Sequence, residues 1–230
     1  MPAGFSVING TTVKEIPFRK PEKARFYISQ TNHNFPVMKR ITVFCGSNPG
    51  NNEGFYKAAF QLGKMLAERN IGLVFGGGKI GLMGAVADGA LTAGGEVIGV
   101  IPEFLRTKEV AHTGLTNLIQ VGSMHERKAT MNDLCDGVIA LPGGYGTMEE
   151  LFEMLTWAQL GLHRKPVALL NVAGFYEGLL TLFSNMVETA FLSDRHQQML
   201  ISGTTAEEVL EKMRDYKAPP TPKWISPGKT

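Results

Sequence analysis

Residues 137–150 read GVIALPGGYGTMEE, and the helical pattern that they open runs on to Leu160. A short apolar run (137–141) stops at a proline-glycine turn (142–146), and a helix over 147–160 follows it. That order is one half of a βαβ unit. The same cadence recurs upstream. ITVFC (41–45) ends at Gly46-Ser47-Asn48-Pro49-Gly50, and Phe55, Ala59, Leu62 and Leu66 then fall at helical spacing between Glu53 and Arg69, before Asn70. IGLVF (71–75) leads into GGGKIG (76–81) and a helix through Ala93, followed by VIGVI (97–101), a strand over 118–121 and a helix near 124–135. Downstream lie VALLN (167–171), a helix over 175–190 and a short one near 205–214. Strands alternating with helices predict an α/β fold: one doubly wound parallel sheet flanked by helices, with its ligand at the carboxyl ends of the strands.

The predicted domain covers 38–216. Residues 1–37 lack periodicity and read as a flexible N-terminal arm; 217–230, with Pro219, Pro220, Pro222 and Pro227, read as a tail. With 43% hydrophobic residues, the chain is not disordered throughout. A net charge of +2 gives no footing for a nucleic-acid partner. No apolar run approaches the roughly 18 residues that cross a bilayer, so no membrane partner is expected, and no secretory signal is read at the N-terminus. Cys45 and Cys135 make no disulfide framework and read as reduced thiols of a cytoplasmic protein. The histidines His33, His112, His125, His163 and His196 show no metal-ligand spacing, so no metal and no cofactor are expected.

Glycine is the abundant residue, 27 in all. Three strand ends carry it: Gly46-Ser47, Gly76-Gly77-Gly78 and Gly143-Gly144-Tyr145-Gly146-Thr147. Bare backbone N–H groups at a helix N-terminus bind anions, phosphate above all, which makes Gly46, Ser47, Gly77, Gly78 and Gly143 phosphate-loop candidates. Tight strand-to-helix turning is the equal alternative for any single loop. Gly76, Gly78 and Gly81 spell G-x-G-x-x-G, but after the second strand, and Glu96 precedes its strand instead of ending it; this is not a dinucleotide fingerprint. Neither a phosphate-binding G-x-x-x-x-G-K-[ST] nor a G-x-S-x-G nucleophile elbow occurs.

Two charged clusters remain. Thr147 and Glu150 form T-x-x-E, either a capping box or a carboxylate for a ligand. The helix around them is apolar almost all round, which points to burial on a second side by another subunit. In Met124-His125-Glu126-Arg127-Lys128, two cations enter the first turn of a helix against its dipole. They read either as a solvated face or as partners of an anionic ligand, and His125 as a surface or capping residue.

Together, PGGYGTMEE (142–150) and MHERKATM (124–131) closely resemble the LONELY GUY family of cytokinin riboside 5′-monophosphate phosphoribohydrolases, long misnamed lysine decarboxylases. The likeness extends over FCGSNPG (44–50), VFGGGKIGLMGAVADGA (74–90), VIGVIP (97–102) and WAQLGLHRKPVALLNV (157–172), roughly residues 40–190. It implies a Rossmann-like fold and hydrolysis of the N-glycosidic bond of a nucleoside 5′-monophosphate, AMP included. It assigns Arg127 and Glu150 to catalysis, and Glu109, Lys128, Gly144, Tyr145, Gly146, Thr147, Met148, Glu149 and Thr156 to the substrate. It also implies a homodimer with the site near the interface. The alternative is a non-catalytic nucleotide or molybdenum-cofactor carrier of the same fold.

Overall fold

The computed structural model describes residues 5–8, 11–14, 38–106 and 111–220. The chain divides into two compact units, Met1–Asn34 and Phe35–Thr230. The first holds two strands, β1 (Phe5–Ile8) and β2 (Thr11–Lys14), paired antiparallel with Phe5 opposite Lys14. The sequence reading of 1–37 had anticipated no strand there.

The second unit is built on seven strands: β3 (Arg40–Phe44), β4 (Gly72–Phe75), β5 (Val97–Pro102), β6 (Asn117–Val121), β7 (Gly137–Ala140), β8 (Val167–Leu170) and β9 (Leu200–Gly203). All pair in parallel, in the order β6-β5-β4-β3-β7-β8-β9. The expected doubly wound sheet is therefore observed. The helices are α1 (Glu53–Glu68), α2 (Gly81–Thr92), α3 (Glu103–Arg106), α4 (Met124–Leu134), α5 (Tyr145–Leu160), α6 (Glu177–Glu188), α7 (Asp194–Gln197) and α8 (Ala206–Asp215). None among the described residues is long and apolar enough to cross a membrane. Sequence reading had missed β9, α3 and α7. β9 is a half-buried edge strand reading LISG, too short and too polar to show a period.

Alternation along each strand divides the core into two layers. Ile41 and Val43 of β3, Ile139 of β7 and Ala168 and Leu170 of β8 pack with α1, α2 and α8; Phe44, Val138, Ala140, Val167 and Leu169 pack with α4 and α5. From β3 the chain winds one way to β4, and the other side of β3 is taken by β7, so the switch in winding lies between β3 and β7. Their carboxyl ends are cross-linked where Gly46 N–H donates to the Pro142 carbonyl at 3.0 Å. A crevice at such a point is where open α/β sheets bind ligands.

The C-terminal end of α5 is pinned by a buried histidine. Gly161 ends the helix in the left-handed conformation (φ 78°). His163 then turns back so that Nε2 lies 2.9 Å from the Met154 carbonyl, while Lys165 N–H donates to Nδ1 at 3.2 Å. This pattern needs the neutral ring with its proton on Nε2. Burial, against the bond to Met154, lowers the His163 pKa to about 4. Because the folded value lies below the unfolded one, stability is full above pH 6.5 and declines as pH falls towards 4. Urea unfolding at pH 7 and pH 5 should show the wild type losing about 2 kcal/mol more than His163→Gln over that interval. Equal losses would remove His163 as the titrating group.

Candidate active site

At the β3–β7 switch point lies a cavity of about 410 Å³. Its walls are the segments that follow β3, β4 and β7, and its floor carries Arg127 and Glu150. Arg127 is 6% exposed, which overturns the reading of a solvated cation. Its Nε donates to the Val100 carbonyl at 3.0 Å and Nη2 to the Gly76 carbonyl at 3.1 Å, while Nη1 stands 4.0 Å from Glu150 Oε1. Two carbonyls from the ends of neighbouring strands thus hold the guanidinium in place and leave one edge for the carboxylate. Gly76 leaves room for it, since a Cβ there would lie 2.1 Å from Nη2.

The start of α4 explains how a cation comes to lie inside its first turn. Ser123 Oγ accepts from Glu126 N–H at 3.1 Å, and the Glu126 carboxylate accepts from Gly122 N–H at 2.7 Å. This reciprocal cap, spelled by S-M-H-E, supplies the acid that the dipole prefers and lets Arg127 turn inward. His125 is exposed in the same turn.

The other candidate cap is not formed. Helix α5 begins at Tyr145, two residues before the predicted start, with Gly144 as N-cap and no side chain capping it. Thr147 is therefore the third helical residue, 4% exposed, and T-x-x-E does not work as a capping box. The sequence placed the start at Thr147 because glycine and a following tyrosine give no helical period; the backbone takes the helical form regardless. The first N–H groups of such a helix have no intrahelical acceptor and face the cavity end of the loop.

The glycines of this loop are of two kinds. A Cβ on Gly143 would lie 2.1 Å from Thr147 Oγ1 and 2.9 Å from the Gly46 nitrogen, so packing demands glycine there. At Gly144 and Gly146 a Cβ would meet nothing within 4 Å, and neither has a positive φ. Glycine inside a helix is less stable than alanine by roughly 0.5–1 kcal/mol, so open space over Gly146 has no structural justification. Tyr145 between them is 96% exposed.

Of the sequence candidates, Gly46, Ser47, Arg127, Gly143, Gly144, Tyr145, Gly146, Thr147 and Glu150 line the cavity. Lys128, Met148, Glu149, Thr156, Gly77 and Gly78 do not. Gly77 and Gly78 serve the fold: the Gly77 carbonyl accepts from His112 N–H at 2.9 Å, and Gly78 bridges to Ala111. Thr156 is exposed, its hydroxyl donating to the Phe152 carbonyl. Lys128 is buried against Glu149 and Glu153, again contrary to a solvated face. Glu109 lies outside the described residues.

Sequence reading missed part of the wall. Cys45 lines the cavity, its thiol pKa pushed up by burial and by the Glu150 charge and drawn back by Arg127. Phe55 and Phe175 form an aromatic side, ring centres 5.9 Å apart at 81°. The helical period had already absorbed Phe55 as a core residue. Beneath the loop, buried Tyr176 donates its hydroxyl to the Leu141 carbonyl at 2.6 Å, tethering the end of β7.

A family model described as "Possible lysine decarboxylase" matches residues 83–213. A cytokinin riboside 5′-monophosphate phosphoribohydrolase of Arabidopsis thaliana is 48% identical over 77% of this chain and 84% of its own length. A probable enzyme of the same name from Oryza sativa subsp. japonica is 51% identical over 77% and 79% respectively. The chain belongs to the LONELY GUY family. More distant solved structures share the fold of this LONELY GUY chain. The molybdenum cofactor binding protein of Rippkaea orientalis matches with a TM-score of 0.60 at 23% identity, covering 78% of this chain and 97% of that one. The molybdenum cofactor carrier protein of Chlamydomonas reinhardtii matches with a TM-score of 0.59 at 21% identity, covering 78% and 100%.

The two kinds of glycine in the LONELY GUY loop separate in a stability measurement. Gly143→Ala forces Thr147 and the loop backbone apart and should destabilise by about 1–3 kcal/mol in urea unfolding. Gly146→Ala should leave stability unchanged or raise it by up to about 1 kcal/mol. A large loss for Gly146→Ala would return that glycine to a purely structural role.

Proposed function

We propose that this protein hydrolyses the N-glycosidic bond of cytokinin riboside 5′-monophosphates, and of AMP, to give the free base and ribose 5-phosphate. The observation that carries the reading is the pair of buried Arg127 and largely enclosed Glu150 on the floor of a cavity rimmed by open glycine backbone. The curated relatives, named for this activity, support it.

The parts divide the work by charge. The 5′-phosphate lies on the N–H groups at the start of α5, over Gly144 and Gly146, with Ser47 beside it. Breaking C1′–N9 sends the bonding electrons to the purine and leaves the ribose ring cationic. The Glu150 carboxylate faces that cation, orients the water that adds to C1′ and takes the proton that it sheds; the departing purine anion takes up one proton from solvent and Glu150 returns its own to solvent, which closes the balance. Arg127, held by two backbone carbonyls, keeps the carboxylate in register and offsets the charge leaving on the base. Preorganisation matters here because the guanidinium need not move during the reaction.

A homodimer is part of the proposal. The half-exposed Phe152, Leu155 and Trp157 of α5 give a second copy an apolar surface next to the site. The buried free thiols of Cys45 and Cys135 support a cytoplasmic location.

Incubation with AMP and with isopentenyladenosine 5′-monophosphate, followed by chromatography of base and ribose 5-phosphate, tests the reaction. Glu150→Gln should keep its fold and its nucleotide affinity and lose kcat by roughly 10²–10⁴-fold. Nucleotide binding by the wild type without product would identify a carrier instead.

A further inference from the structure

The turn after β8 has no part in the chemistry above, yet it reaches both loops that bound the cavity. Asn171, 4% exposed, follows the strand, and its side chain closes the short helical turn Val172–Gly174. Oδ1 accepts from Tyr176 N–H at 2.8 Å, and Nδ2 donates to Glu177 Oε1 at 2.6 Å. Inside the turn Ala173 has φ 52°, a conformation that alanine seldom adopts, so the Asn171 bonds hold backbone that would not rest there by itself. The turn delivers two adjacent aromatic rings, 5.0 Å apart and edge to face, to different neighbours. Tyr176 sends its hydroxyl to the Leu141 carbonyl, at the end of β7 and one residue before Pro142. Phe175 meets the ring of Phe55, and Phe55 lies against Gly50, where a Cβ would come within 2.8 Å of that ring. Gly50 closes the loop that Gly46 and Ser47 open.

We propose that this turn is a clip that sets the width of the phosphate crevice, with Tyr176 as a positioning residue whose hydroxyl fixes the loop after β7 against the loop after β3. This rests on the phosphate position proposed above. Open backbone at Gly144 and Gly146 has no side-chain packing to hold it, so the loop takes its position from its root. At that root Gly46 N–H donates to Pro142 from one side and Tyr176 donates to Leu141 from the other. Hydrogen bonds weaken steeply when donors are misaligned, so a loop that shifts at its root binds an anion less well. A phenylalanine would fill the same buried space as Tyr176; the bond to Leu141 is what the hydroxyl adds. Burial, with the neighbouring Cys45, pushes the ionisation of Tyr176 well above the ordinary tyrosine range and keeps that hydroxyl a donor. A phosphate is held alike before and during bond cleavage, so the clip acts on binding and not on kcat.

The test compares the wild type, Tyr176→Phe and Glu177→Ala of the full chain. Calorimetry gives Kd for ribose 5-phosphate and for isopentenyladenosine, the riboside without phosphate; kinetics give KM and kcat for isopentenyladenosine 5′-monophosphate. Tyr176→Phe should raise Kd for ribose 5-phosphate and KM for the monophosphate about 3- to 10-fold. Its kcat and its Kd for the riboside should stay within about twofold of the wild type. Glu177→Ala, at an exposed position, frees the Asn171 side chain from outside the cavity and should move the same two constants in the same direction. It carries the comparison if Tyr176→Phe does not fold. Equal weakening of riboside and ribose 5-phosphate assigns Tyr176 to general stability and overturns the clip. A fall in kcat at constant KM, or wild-type affinity for ribose 5-phosphate in folded Tyr176→Phe, overturns it as well. The Kd comparison needs no turnover, so a wild type that releases no base from any nucleotide fails the reaction proposed above as a separate result.

Discussion

A buried guanidinium must have its charge and its donors answered, and the rest of the site follows from how Arg127 is answered. The Val100 carbonyl belongs to β5 and the Gly76 carbonyl to the end of β4, so the side chain reaches from α4 across two strand ends before it meets Glu150. Neither carbonyl neutralises the charge; the carboxylate does. An isolated ion at this depth would be strongly unfavourable, and a pair is tolerated only where further hydrogen bonds satisfy it. That requirement fixes Gly76 by space, orders the cap at Ser123 and Glu126 that admits a cation to the first turn, and places Glu150 on the inner side of α5.

The loop after β7 holds glycines of two kinds. Gly143 is glycine because Thr147 and the Gly46 backbone crowd it; Gly144 and Gly146 are glycine though nothing crowds them. In a helix start left without a side-chain cap, that leaves unhindered N–H groups facing the cavity. Tyr176, donating to Leu141 just before the loop, and Gly46, donating to Pro142, hold the loop from two sides, so the open backbone is also a fixed one. An anion arriving there meets donors already oriented, which is what keeps reorganisation small.

Much of this was legible in the residues, and the reasons differ by element. Buried parallel strands such as GVIAL and VALL announce themselves as apolar runs between turns, and helices such as α1 by their apolar period; sheet, winding and ligand end followed from the alternation. The edge strand β9 has no such run. Thr147–Glu150 read equally as a cap or as a ligand group, because a spacing does not say where the helix begins; only the backbone at Gly144 decides. Arg127 and Lys128 read alike as cations in one turn. Burial separates them from the solvent, and the acids on α5 separate them from each other. Phe55 and Cys45 gave no signal at all, since a residue that lines a cavity and one that fills a core look the same in a period.

The fold therefore accounts for the crevice and stops there. Proteins at 21–23% identity share the sheet and its switch point, and any chain with that topology brings helix N-termini to the same crevice. What turns a crevice that holds a phosphate into one that breaks a glycosidic bond is a carboxylate held where positive charge develops, with a cation to keep it in register. In this chain the two groups proposed for that work, Glu150 and Arg127, come from α5 and α4, elements that strand pairing does not bind to each other. On the proposed reading the chemistry depends on the side-chain bridge between those helices, Arg127 to Glu150, and not on the pairing of strands beneath them.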